Sequence, residues 1–187
     1  GLASDINIAY ASNGISKNDL GNETVILSDL TVKASDLNAL DTNNTSGTIN
    51  ADSVTTITGS AIDINNAYGS SGITGLGDEN ITLIGPDASD NQLNLLVGNT
   101  TGTIDAAQVA TIFGVADEIN VAYSSNSITG LGDENIKLMQ STVVASDLNT
   151  LDDNTEGTIN ADDVTTITGL ASDINIAYAS NGISKTN

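Results

Sequence analysis

The chain has 187 residues, enough for one sizeable buried core, and sets four lysines against 24 acidic residues for a net charge of −20. That field excludes nucleic acid and anionic membrane surfaces as partners unless a cation bridges them, and it makes a cation the natural counter-charge. There is no Cys, His, Trp or Arg, so a disulfide framework and thiol or imidazole chemistry are excluded, while the compartment stays open.

The chain opens on GLASDINIAYASNGISK, residues 1–17, and the same letters return unchanged at 169–185. Self-comparison gives a period of 55 residues, lengthened to about 58 in parts of the first copy. ITGLGDENI at 73–81 recurs at 128–136, GTI starts at Gly47, Gly102 and Gly157, and Tyr10, Tyr68, Tyr123 and Tyr178 share one register. Residues 18–30, NDLGNETVILSDL, diverge from the later copies, and drift is the expected cause.

Along the chain, the first element of each period is helical. Ile64, Ala67 and Tyr68, like Ile119, Ala122 and Tyr123, fall at i, i+3 and i+4 behind a polar start. ITL at 81–83 and GTI at 102–104 read as short strands rich in β-branched residues. ASDLNTL at 145–151 predicts a second helix, with Leu148 and Leu151 on one side and Ser146 or Asp147 near its beginning. NADDVTTITG at 160–169 predicts a third, capped by Asn160, with Asp162 and Asp163 at its positive end and Gly169 closing it. Helices this short are marginal alone and must borrow stability from neighbours.

Stacked units bury a continuous apolar stripe, so the expected fold is an α/β solenoid of three repeats of about 55 residues, one tandem-repeat segment over 1–187, with strands on one side and helices on the other. The alternative is a β-solenoid in which the helical segments are turns and corners. No apolar run of about 18 residues and no basic-then-apolar opening occurs, so neither a membrane span nor a signal peptide is expected within the sequence. Both ends keep the repeat phase instead of turning into polar caps. A window cut from a longer array, with end-to-end self-association through repeat stacking, is the expectation.

The sharpest chemical candidate is DDNTEGTINADDV at 152–164. An EF-hand type loop takes oxygen ligands at positions 1, 3, 5, 7, 9 and 12 around a central Gly. Asp152, Asn154, Glu156, Thr158 through its carbonyl, Asn160 and Asp163 fill those places, with Gly157 and Ile159 between them. GTINADDVTTI also resembles the loop-to-helix part of dockerin modules, which implies Ca2+ as the cofactor. The other copies lack the set, having Val97 and Gln108 in the first and last places of one and Ser53 in the closing place of the other. A plain turn before an acid-rich helix start is the competing reading.

GLGDENI, at Gly75 and Gly130, is faintly similar to the calcium nonapeptides of secreted β-rolls but does not repeat every nine residues. Its glycines are expected to permit a tight turn of positive φ before the strand, with Asp78, Glu79, Asp133 and Glu134 as a solvated ridge. The tyrosines share the helical face of the isoleucines, which predicts core or inter-repeat contact with the hydroxyl at the rim. Catalysis has little to stand on: no Ser-Lys pair, Gly-x-Ser-x-Gly, P-loop or dinucleotide fingerprint is present, so no enzyme is expected. Asn22-Glu23-Thr24 and Asn99-Thr100-Thr101 are glycosylation sequons of a kind this composition produces by chance.

The phrasing LNTLD..NT..GTINADDVTTITG.ASDINIAYAS.GI.GLGDENI resembles, across essentially the whole chain, the tandem repeats of giant cell-surface and secreted proteins of marine cyanobacteria, of a type associated with swimming. LNTLD followed by NT is also similar to phage tail-fibre repeats. The first resemblance implies an extracellular or bacterial cell-surface location and a structural or adhesive role in a fibre. A calcium-dependent module binding glycans or a surface protein is the alternative.

Overall fold

The computed structural model describes residues 1–12 and 20–186; Lys17 and its neighbours at 13–19, and residue 187, lie outside the described residues. In chain order the elements begin with α1 (Ala3–Ala11), β1 (Thr24–Ile26), β2 (Thr31–Lys33), α2 (Ala34–Asn43), β3 (Thr48–Asn50) and β4 (Thr56–Gly59). There follow α3 (Ala61–Gly69), β5 (Ile73–Thr74), β6 (Asn80–Leu83), β7 (Asp87–Ser89), α4 (Asp90–Asn99), β8 (Ile104–Asp105) and β9 (Thr111–Gly114). The last are α5 (Ala116–Ser124), β10 (Ile128–Thr129), β11 (Asn135–Leu138), β12 (Thr142–Val144), α6 (Ala145–Asn154), β13 (Ile159–Asn160), β14 (Thr166–Thr168), α7 (Ala171–Ala179) and β15 (Ile183–Ser184). The fold is an α/β solenoid: the strands pair in parallel among the described residues, as in β1 with β3, β4 with β6 and β9 with β11, and short helices alternate with the strands.

The chain divides into two compact units, Gly1–Ile84 with Gly98–Asp105, and Gly85–Val97 with Ala106–Asn187. In the first, β1-β3-β5 form one sheet and β2-β4-β6-β8 run in order through another. In the second, the order is β7-β9-β11-β13-β15, with β12-β14 beside it. Strand partners lie about 24 residues apart, as when Ile112 faces Ile136 and Ile159 faces Ile183. One 55-residue sequence repeat therefore winds through two coils with a few residues to spare.

The surplus becomes a strand. In the second unit three strands, β10 to β12, join α5 to α6, whereas two, β13 and β14, join α6 to α7. β11 pairs on both sides, and β12 founds a new sheet with β14.

The local reasons are simple. Thr-Ile and Thr-Val alternation turns one β-branched side chain inward per strand, and the inward ones stack on their own kind: Ile136 between Ile112 and Ile159, Ile81 between Ile57 and Ile104. The helices bury positions i, i+3 and i+6, namely Ala34, Leu37 and Leu40 in α2 or Ala116, Ile119 and Ala122 in α5. Each such leucine or isoleucine contributes about 1.5–3 kcal/mol by leaving water.

Most helices have no side-chain cap of their own; Ser60 of α3, which accepts from the Asp63 N–H, is the exception among those with a defined cap residue. Their first N–H groups bond across coils instead: Ala3 to Asp29 at 2.9 Å, Ala116 to Gln140 at 3.1 Å.

The third predicted helix is not one. Residues 160–169 hold the end of β13, a turn and β14. Asn160 Oδ1 accepts the Asp162 N–H at 2.9 Å and the Ala161 carbonyl accepts from Val164 at 3.0 Å, after which Thr-Thr-Ile-Thr enters the sheet. The Asx turn and the β-branched run outweigh the acid-rich helix-start pattern.

Candidate functional site at the coil junctions

Residues that recur in register meet around Tyr68 and again around Tyr123. The GLG turn sets the geometry: Gly75 and Gly130 have φ of 83° and 81°, Gly77 and Gly132 of 146° and 139°, a backbone closed to other residues without strain. This meets the sequence expectation for these glycines.

The ridge reading of the acids holds only for Asp78 and Asp133, which are exposed. Glu79 and Glu134 are 0 % exposed. The tight turn folds each glutamate back over its own glycine: Glu79 Oε2 accepts the Gly77 N–H at 2.9 Å and Glu134 Oε2 the Gly132 N–H at 2.9 Å. The same oxygen accepts the hydroxyl of the repeat's tyrosine, Tyr68 at 2.8 Å and Tyr123 at 2.8 Å. Burial, followed by the adjoining carboxylate, drives both tyrosine hydroxyls well above the usual tyrosine range. The hydroxyls thus turn inward onto the glutamates and not to the rim, whereas Tyr178 is 76 % exposed.

The next coil closes on the glutamate backbone. Thr100 Oγ1 donates to the Glu79 carbonyl at 2.7 Å and accepts the Gly102 N–H at 2.9 Å; Thr155 and Gly157 repeat this on Glu134 at 2.7 and 2.9 Å. The invariant spacing of GTI follows from this contact. A Cβ on Gly102 would lie 2.3 Å from the Glu79 carbonyl oxygen, and one on Gly157 would lie 2.2 Å from that of Glu134. Tyrosine, glutamate, threonine and glycine form a node that ties helix, turn and following coil together.

A second series runs along the helices. Asn7 and Asn38 in the first unit donate to the carbonyls of Asp36 and Asp63 at 3.0 and 2.9 Å. Asn94, Asn120 and Asn149 in the second do so to Glu118, Asp147 and Asp173 at 3.1, 2.8 and 3.0 Å. Each bond joins the middle of one helix to the first turn of the next.

The six residues of the EF-like motif are spread over several elements. Asp152 and Asn154 lie in the last turn of α6, where Asn154 donates to Asn120 at 3.0 Å. Glu156 is exposed in the following turn. The Thr158 carbonyl accepts the Ile136 N–H at 2.9 Å, Asn160 donates to Asp162 at 3.1 Å, and Asp163 is exposed. Among the described residues no cluster of three or more His, Cys, Asp or Glu side chains is placed to hold a metal ion, and no helix is long and apolar enough to cross a membrane.

The node itself was missed from sequence. Its signal is present, however: a glutamate two residues after a glycine, in phase with tyrosine, in every copy that has both. No protein-family model matches the chain, and no curated protein or solved structure matches it.

Proposed function

We propose that the chain is a non-enzymatic structural or adhesive repeat segment of an extracellular or cell-surface fibre. The observation that supports this most is where the recurring polar residues go. The node and the asparagine series direct hydrogen bonds to the neighbouring turn or coil, and the carboxylates of Glu79 and Glu134, at 0 % exposure, are withdrawn from solvent. Repetition then sets length one repeat at a time, and the net charge of −20 keeps neighbouring fibres apart. The extracellular setting rests on the resemblance of the repeat phrasing alone.

The test is a series of chains carrying two, three and four covalent repeats, measured by small-angle scattering. A maximum dimension that grows by a constant step per repeat supports the reading. A dimension that stops growing contradicts it.

A further inference from the structure

Glu79 and Glu134 each leave one carboxylate oxygen without a partner. Oε2 of each takes the tyrosine hydroxyl and the glycine N–H described above, whereas Oε1 of each is shut off from solvent and receives no hydrogen bond from the protein. The same orphan oxygen stands in two copies one 55-residue period apart, so it belongs to the repeat and not to one irregular coil.

A buried polar atom costs stability until something meets it, and the cost is far greater for a charged group than for a neutral one. Asn44, Asn94 and Asn149 also bury an amide oxygen without a partner, but an amide carries no net charge and a water molecule suffices for each. A carboxylate needs positive charge as well. The chain has no Arg or His. Of its described lysines, Lys33 and Lys137 are exposed on β2 and β11, and Lys185 donates to the Val164 carbonyl. None of the three donates to either Oε1.

We propose that Oε1 of Glu79 and Oε1 of Glu134 each bind a monovalent alkali cation, sodium or potassium, one in each of the two nodes. The node offers further oxygens of the kind such hard ions take. The Tyr68 and Tyr123 hydroxyls lie beside the carboxylates, and the Gly77 and Gly132 carbonyls of the GLG turns accept from Thr101 and Glu156 of the next coil at 2.9 and 2.7 Å. A single carboxylate balances a single positive charge. Ca2+, with two charges and about six to eight oxygen ligands, would be left short of acids at a place where no three of them gather. Glu23 is the contrast within the chain: its carboxylate is half-exposed, so water serves it and it holds no cation. The ion thus lets a chain of net charge −20 bury two acids, and it ties the strength of the coil junctions to the monovalent salt around them.

The experiment uses the full 187-residue chain. Crystals grown with thallium(I) in place of the alkali ion are expected to show anomalous peaks beside Glu79 and Glu134 and none beside Glu23. Water alone at both buried glutamates overturns the proposal. In solution, urea unfolding is followed as sodium or potassium chloride replaces tetramethylammonium chloride, whose cation is too bulky for a buried site, at constant ionic strength. Stability is expected to rise with the alkali ion, with a dependence that corresponds to about two cations released on unfolding. Glu134→Gln keeps an acceptor for Tyr123 and Gly132 but removes the charge, and reduces that dependence to about one cation. Equal midpoints in all three salts overturn the proposal, as does a dependence that Glu134→Gln leaves unchanged; neither result touches the scattering series on covalent repeats.

Discussion

The first node and the later two make a useful comparison. At Tyr68–Glu79 and Tyr123–Glu134 the carboxylates are fully buried, and a threonine two residues before a glycine closes the node. At Tyr10–Glu23 the carboxylate is half-exposed, and Asn44 takes the threonine's place, donating Nδ2 to the Glu23 carbonyl at 2.8 Å. The N–H groups of Gly21 at 2.7 Å and Asn22 at 3.2 Å hold that carboxyl below its usual range, and Tyr10 donates to it at 3.0 Å. The glycine remains, and a Cβ on Gly47 would lie 2.0 Å from the Glu23 carbonyl. The repeat therefore tolerates an inserted residue and a changed hydrogen-bond donor, but not a filled glycine site.

The largest predicted effect follows from that last point. Gly157→Ala drives a Cβ into backbone that has no flexible end to yield, and is expected to cost about 3 kcal/mol or more in urea unfolding. Gly98→Ala, within α4 and with nothing within 4 Å of its would-be Cβ, is the matched control and is expected to stabilise by about 0.5–1 kcal/mol. Equal losses at the two sites would remove the close-approach argument.

Next come the glutamates. Glu134→Ala strands a tyrosine hydroxyl and a glycine N–H, at an expected cost of about 2–3 kcal/mol, while Glu23→Ala, wetter at the outset, costs less. Glu134→Gln keeps an acceptor for both donors and falls below either. If the two alanine variants lose the same stability, burial does not distinguish the nodes.

A smaller effect is expected at alkaline pH. Tyr68 and Tyr123 keep their protons in the folded chain beyond the usual tyrosine value of 10.0. The stability they add is therefore complete below about pH 10 and is lost as pH rises through their higher folded values. Tyr68→Phe with Tyr123→Phe should flatten that alkaline decline; a decline unchanged in the double variant assigns it elsewhere.

The smallest concerns calcium. Asn160 Oδ1 already accepts the Asp162 N–H and the Thr158 carbonyl the Ile136 N–H, while Asn154 is held by its Nδ2 on Asn120. The unfolding midpoint is therefore expected to be the same in millimolar calcium and in excess chelator. A large fall on chelation would instead make residues 152–163 a site linked to folding.

Periodicity made the solenoid and two of the three helix types legible, because Ile64, Ala67 and Tyr68, or Leu148 and Leu151, can share a face only on a helix. The third failed because Asn160 and Asp162 serve a turn as readily as a cap. Glu79 and Glu134 were hidden for a different reason. Nothing local says that a glutamate beside an exposed aspartate is buried; the tyrosine 11 residues before it and the threonine 21 residues after it say so, and only the coil brings them together.

The claim that the node couples one coil to the next is tested most directly by native-state hydrogen exchange in Glu134→Ala. The account predicts faster exchange both at Gly132, within the turn, and at Gly157 and Ile159 on the following coil. Acceleration confined to Gly132 would contradict it.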